Sequence, residues 1–404
     1  MPFIPATMDL TIVQQLAILL FTAFIAYLIF VKIKQSIIIG EILLGILIGP
    51  SVLNIITYTS FVQDFAMLGA ILLLFVIGFE FKMKDVYNVR FGIIATIGVV
   101  IPWIAGFFFA QYIGYNFITS FFIGTTLTAT SIAITANVLR ELGKLHTEPA
   151  RAIIGAAVID DVLGLIVLSF AVQFQYGAIQ TLDILRIIGL VAAFFIVGIL
   201  VGRPVVRWLM EHFAETTIAK KHVETVLILA FVIAFLFSAA AEVIQLSAIV
   251  GAFLAGITME GVKVRDDADF RKGADHVQVI FAPIFFISLG VLINLHQLTT
   301  DILWFILALT IIAILTKLIG CYIGARIGKM SNKNALIVGI GMAPRGEVAM
   351  IVAVIGLSAH IINQEIYTAV IIMSLLTTLF VPAILRYVKF PEEEKKPLNN
   401  LGEH

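Results

Sequence analysis

Apolar residues run through this chain in blocks of about twenty, interrupted by short polar stretches that carry most of the charge. A bilayer's hydrocarbon core takes about 20 helical residues to cross, so each block has the length of a membrane span. Windows of that length predict thirteen spans, centred near Leu20, Ile46, Leu72, Val100, Ser131, Leu163, Phe194, Ile233, Phe253, Phe285, Ile312, Ala343 and Met373. In lipid every backbone amide must find its partner within the segment, which makes the expected fold an all-α polytopic membrane protein.

The basic residues, which played no part in placing the windows, give an orientation. Alternate loops hold Lys32 and Lys34; Lys82, Lys84 and Arg90; Arg140, Lys144 and Arg151; Arg203, Arg207, Lys220 and Lys221; Lys263, Arg265, Arg271 and Lys272; Arg326, Lys329 and Lys333; and Arg386, Lys389, Lys395 and Lys396. These seven segments contain 23 of the 26 Lys and Arg residues. The positive-inside rule therefore predicts an outside N-terminus and a cytoplasmic C-terminus, which requires an odd number of spans. No cleavable signal is expected, because residues 1–9 lack a basic region. Composition agrees with a multi-pass protein of the cell membrane: 61% of residues are hydrophobic and 13% charged, with a mean hydropathy of +1.08. Cys321 is the only cysteine, which excludes an intrachain disulfide and a cysteine-based metal cluster. There is no HExxH or other zinc spacing, and topology explains the basic loops without nucleic acid.

Five charges break the apolar pattern at depth. Asp160 and Asp161 sit inside the run 153–168, Lys317 inside the eleventh span, and Arg345 and Glu347 inside the twelfth. Each ionisable group at the centre of a bilayer costs ~2.5–3.5 kcal/mol and persists mainly where it binds or relays charge. Three acids against two bases leave the midplane negative, which favours a cation or a proton. Consecutive helical residues point about 100° apart, so the two aspartates need separate jobs. Glu41, Glu80 and Glu242 fall near helix ends, and Glu41 is read as a helix-terminal or interfacial charge.

A shift of about 212 residues superimposes the two halves. Gly40–Gly45 meets Gly251–Gly256, Leu74–Gly78 meets Phe286–Gly290, and the polar stretch Thr128–Thr135 meets Ile340–Glu347. Spans one to six then pair with eight to thirteen in opposite orientation, an inverted repeat, and residues 184–208 form a connector. Pro344, flanked by Gly341 and Gly346, predicts a broken helix, and the hydroxyls of Thr128, Thr130, Ser131 and Thr135 can serve backbone groups freed by a matching break. Paired broken helices place a transporter's substrate site near the midplane.

The stretches Thr128-Ala-Thr-Ser131 and Gly155–Gly164 with its paired aspartates, the lysine of span eleven, and Pro344-Arg-Gly-Glu347 together resemble the monovalent cation:proton antiporter-2 family, and within it the NapA-type sodium/proton antiporters of NhaA fold. The resemblance implies an ion-carrying core of residues 90–176 and 301–388. It also implies a scaffold panel of residues 10–82 and 222–295 that makes a homodimer, with 391–404 as a cytoplasmic tail. It assigns Na+ or H+ binding to Asp161 with oxygens of Thr130 and Ser131, makes Asp160 the partner of Lys317, and gives Arg345 and Glu347 the role of bracing the second break. Kef-type potassium exporters usually carry glutamine where Asp160 stands and end in a large nucleotide-binding domain, so K+/H+ exchange is the alternative reading. The expected activity is Na+/H+ exchange without a cofactor, electrogenic if two groups release protons per ion bound, with the bilayer and a second copy as the other partners. An intramembrane aspartyl protease needs two acids approaching from different helices, and a channel needs a continuous pore; neither fits neighbouring aspartates with a buried lysine.

Overall fold

A computed structural model of the chain describes residues 10–33, 35–80, 88–176, 181–222, 224–244, 246–262, 267–297 and 300–390. Among them the regular structure is helical: α1 (Ile12–Lys32), α2 (Ile37–Ile48), α3 (Ser60–Glu80), α4 (Val89–Ile113), α5 (Phe117–Thr126), α6 (Ile132–Glu141), α7 (Glu148–Tyr176), α8 (Thr181–Val197), α9 (Arg203–Ala214), α10 (Thr217–Lys221), α11 (Glu224–Val243), α12 (Ala248–Thr258), α13 (Asp267–Val291), α14 (Thr300–Ile327), α15 (Asn332–Gly341), α16 (Gly346–Ser358) and α17 (Gln364–Leu385). Eight described segments are long and apolar enough to cross a bilayer, and shorter apolar helices occupy 37–48, 117–126, 248–258 and 348–357. Many large apolar side chains of α1, α4 and α14 face outward, among them Phe21, Phe108, Trp304 and Ile311, as lipid contact requires. Lys34, Lys82, Lys84, Lys263, Arg265 and the tail 391–404 lie outside the described residues.

The helices pack in two groups. In one, α3 lies against α12 and α13, α2 against α13, and α11 against α12. In the other, α4 lies against α5, α7 and α14, while α14 also meets α15 and α17. Glycines let backbones touch in the first group. A methyl on Gly45 would sit 2.2 Å from the Ile287 carbonyl oxygen and 3.1 Å from Gly290 Cα. A methyl on Gly256 would sit 2.3 Å from the Phe75 carbonyl oxygen and 2.8 Å from Gly78 Cα. Close approach of this kind is how small residues hold membrane helices together. Under the shift of about 212 residues the Gly45–Gly290 crossing maps onto the Gly256–Gly78 crossing. Between α8 and α9 the helix loosens into a π-helical turn, Gly198–Gly202.

Candidate functional site

Two interrupted helices meet in the middle of the second group. The first stops at Thr126 and resumes at Ile132; the second stops at Gly341 and resumes at Gly346. Pro344 lacks an amide hydrogen and cannot continue α15. Gly346 turns at φ +46°, where a Cβ would lie 2.6 Å from that of Ser131, so glycine is needed there for backbone and space alike. The breaks are bonded to each other: Ser131 N–H donates to the Pro344 carbonyl at 3.0 Å, and Thr135 Oγ1 donates to the Gly341 carbonyl at 2.6 Å.

Three of the charges singled out above, Asp160, Lys317 and Arg345, meet at this crossing. Asp160 and Lys317 are fully buried, and Lys317 Nζ donates to Asp160 Oδ1 at 2.6 Å and to the Thr128 carbonyl at 2.7 Å. Arg345 is fully buried too. Its Nη1 donates to the Ala129 carbonyl at 2.7 Å, its Nη2 to the Ala313 carbonyl at 2.8 Å, and its backbone N–H to Thr377 Oγ1 at 3.2 Å. The guanidinium thus reaches from the second break to the first, where the resemblance had it bracing its own helix beside Glu347. The side chain of Glu347 lies outside the described residues. Lys317 and Arg345 together satisfy the carbonyls where α5 has unwound, at a helix C-terminus whose partial negative charge favours cations.

Asp161 is 8% exposed, so it retains a slight opening that Asp160 lacks. Thr130 and Ser131 are fully buried in the extended stretch between α5 and α6. The Thr130 hydroxyl lies within hydrogen-bonding reach of the Asp160 carboxylate, so Asp160 is held by Thr130 as well as by Lys317. A set of carboxylate, hydroxyl and backbone oxygens suits a hard monovalent cation.

Two features of the site escape a reading of the sequence. Apart from Asp160, the acceptors of Lys317 and of the Arg345 guanidinium are main-chain carbonyls, which every residue possesses, so only the break selects Thr128 and Ala129. The second feature links the two helix groups at the end of α6. Ser36 Oγ donates to Glu141 Oε2 at 2.8 Å, and Arg140 bonds to Asp275 and Gln278 of α13. Glu41, read above as an interfacial charge, is 4% exposed, because α2 turns it inward, close enough to Glu141 to feel its charge. A glutamate one turn from a helix start looks interfacial in the sequence, and only the neighbouring helices bury it.

Comparison with known proteins gives a consistent match. The family profile described as sodium/hydrogen exchanger, transmembrane, covers residues 20–388. The chain is 34% identical over 375 residues to a Na(+)/H(+)-K(+) antiporter, GerN, of Bacillus cereus, spanning 92% of this chain and 95% of that one. It is 35% identical over 331 residues to a Na(+)/H(+) antiporter of Enterococcus hirae, covering 81% and 84% of the two chains. The solved structure of the sodium proton antiporter MjNhaP1 from Methanocaldococcus jannaschii at pH 8 shares the fold, with a TM-score of 0.69 at 20% identity over 93% of this chain and 95% of that one.

Proposed function

The chain belongs to the transmembrane sodium/hydrogen exchanger family, and from that premise we propose that Asp161 is the carboxylate at which Na+ and H+ compete. The protein is a multi-pass membrane antiporter that exchanges Na+ for H+, and it is not an enzyme. Na+ exchange appears in the names of both relatives, one of them with K+ as well, so Na+ is the proposed cation and K+ the less favoured alternative. The crossing of the two breaks is the observation that carries the proposal. It sets the Asp160–Lys317 pair against unwound main chain, with the hydroxyls of Thr130 and Ser131 in the first break and the slightly open Asp161 next in sequence to Asp160.

A carboxylate that holds Na+ must have lost its proton, and protonation expels the ion. That exclusion makes the exchange obligatory. Arg345 stays charged and serves as a fixed brace on the first break. Lys317 is the second proton carrier: its release from Asp160 as Na+ enters, with loss of a proton, makes exchange electrogenic. Asp160 is then left to face the ion with its second oxygen. No cofactor enters this scheme.

For architecture we take each interrupted pair as one span, which fits the described helices to thirteen crossings with the N-terminus outside and the C-terminus in the cytoplasm. The group containing α4–α7 and α14–α17 is the moving core, the group of α1–α3 and α11–α13 is the fixed panel that pairs with a second copy, and α8 with its π turn is the connector. Two observations support movement between them. A cavity of about 430 Å³ separates α7, α8 and α12, leaving that boundary loosely packed. Polar contacts also cross the boundary, Ser36 to Glu141 and Arg140 to Asp275 and Gln278, and these can exchange for water when the core moves.

Proton flux driven by a Na+ gradient in proteoliposomes tests the site. Asp161→Asn is expected to abolish it, and repeating the assay with Li+ and K+ gradients sets the selectivity. Exchange at the wild-type rate in Asp161→Asn would remove Asp161 from the site.

A further inference from the structure

An apolar cavity of about 430 Å³ lies where α7, α8 and α12 come together. Its thirteen described lining residues are all aliphatic, aromatic or glycine, so no side chain in the wall can hold water. We infer that this cavity takes up an acyl chain of a lipid from the adjoining leaflet.

Its size and length suit that occupant. A cavity of ~150 Å³ with such a lining stays dry and admits benzene, and this one is about three times as large. Left empty, its wall would forfeit dispersion contacts that closely packed interiors keep. Along α8 and the turn after it the wall runs from Val191 to Leu200, ~14 Å at 1.5 Å per residue. That is about the depth of one leaflet's hydrocarbon, half of ~30 Å.

The mouth is on the lipid side. Ile196 and Leu200 are in the wall and are also 56% and 67% exposed, so the cavity is continuous with the surface that meets the bilayer. Acyl chains are the apolar fluid in reach of that opening. At the far side Phe253 and Leu254 of α12 are buried, which carries the wall from the bilayer into the interior. The π-helical turn Gly198–Gly202 supplies both the buried Ile199 of the inner wall and Leu200 of the lip. Turns of this type are frequent at functional sites.

Position gives the chain a role. Val158 in the wall lies three residues before Asp161, on the neighbouring stripe of α7. A fluid acyl chain fills the space between α7 and α12 without bonding them, so one helix can shift against the other while no void opens. This filling does not depend on which cation is exchanged.

Photolabelling of the full-length protein in proteoliposomes tests this. The probe is phosphatidylcholine with a diazirine in its acyl chain, and the labelled residues are mapped by peptide mass spectrometry. Label is expected on buried Phe253 or Leu254 as well as on lipid-facing Ile311, which serves as the reference. Ala192→Phe, at the exposed edge of the wall, takes the room of about two methylenes, so label at Phe253 and Leu254 should fall about tenfold against Ile311. Ala193→Phe, equally exposed but outside the wall, should leave the ratio unchanged. Wild-type label confined to exposed residues would overturn the assignment by itself. An unaltered ratio in Ala192→Phe, or an equal loss in Ala193→Phe, would do the same.

Discussion

Arg345 shows how one side chain can hold a broken helix in lipid. Its guanidinium donates to the unwound Ala129 carbonyl and to the Ala313 carbonyl within α14, and lipid tails offer no donor in its place. Arg345→Gln leaves buried acceptors unmet at ~1–3 kcal/mol each, so the purified protein is expected to melt several degrees lower. Wild-type melting in that variant would show that other donors serve the break. Lys317 makes a different prediction. Lys317→Gln removes the proposed second proton carrier, so exchange, if it survives, should become electroneutral, as read from voltage-sensitive dye in proteoliposomes. Unchanged charge movement would mean that the lysine carries no proton. These roles divide sharply in how they can be read from residues alone. Asp160, Asp161, Lys317 and Arg345 stand out because a charge inside an apolar run needs a reason, whereas their carbonyl partners at Thr128, Ala129 and Ala313 have no side-chain signature.

Among the elements, the two breaks depend on different signals. Pro344 and Gly346 mark the second in any reading of the chain. The first has neither proline nor glycine between Leu127 and Ser131, and its hydroxyls suggest a break only when set against the second half. Gly346 holds the crossing together. An alanine there must occupy φ +46° and place its Cβ 2.6 Å from Ser131 Cβ. Left-handed backbone costs ~1–2 kcal/mol for a residue with a Cβ, so Gly346→Ala should lower both Tm and Na+-driven proton flux. An unaffected variant would argue that the crossing is pliant. The glycine contacts of Gly45 with Gly290 and Gly78 with Gly256 were visible in the sequence only as repeated small residues. Which glycine meets which is settled by packing, since each helix presents several small faces.

Across the whole molecule, the proposed mechanism has the core leave the panel on the cytoplasmic side. Ser36 and Glu141 lie on opposite sides of that boundary. Replacing both, Ser36→Cys with Glu141→Cys, and joining them with a short thiol crosslinker should arrest exchange until the link is cleaved; Cys321 is fully buried and should not compete. Full activity in the crosslinked protein would contradict a moving core. This contact was hidden in the chain because Ser36, Arg140 and Glu141 look like ordinary loop and helix-end polar residues. The helical, membrane-spanning character was legible throughout, since it rests on composition and block length rather than on any single residue.

The central claim is that one carboxylate holds Na+ or H+ but not both. Equilibrium binding of radiolabelled Na+ to the purified protein across pH tests it directly. Competition by one proton predicts that the half-saturating Na+ concentration rises about tenfold for each unit by which pH falls below the carboxyl's own titration, and that Asp161→Asn binds no Na+. A binding constant indifferent to pH, or Na+ retained by Asp161→Asn, would contradict the account.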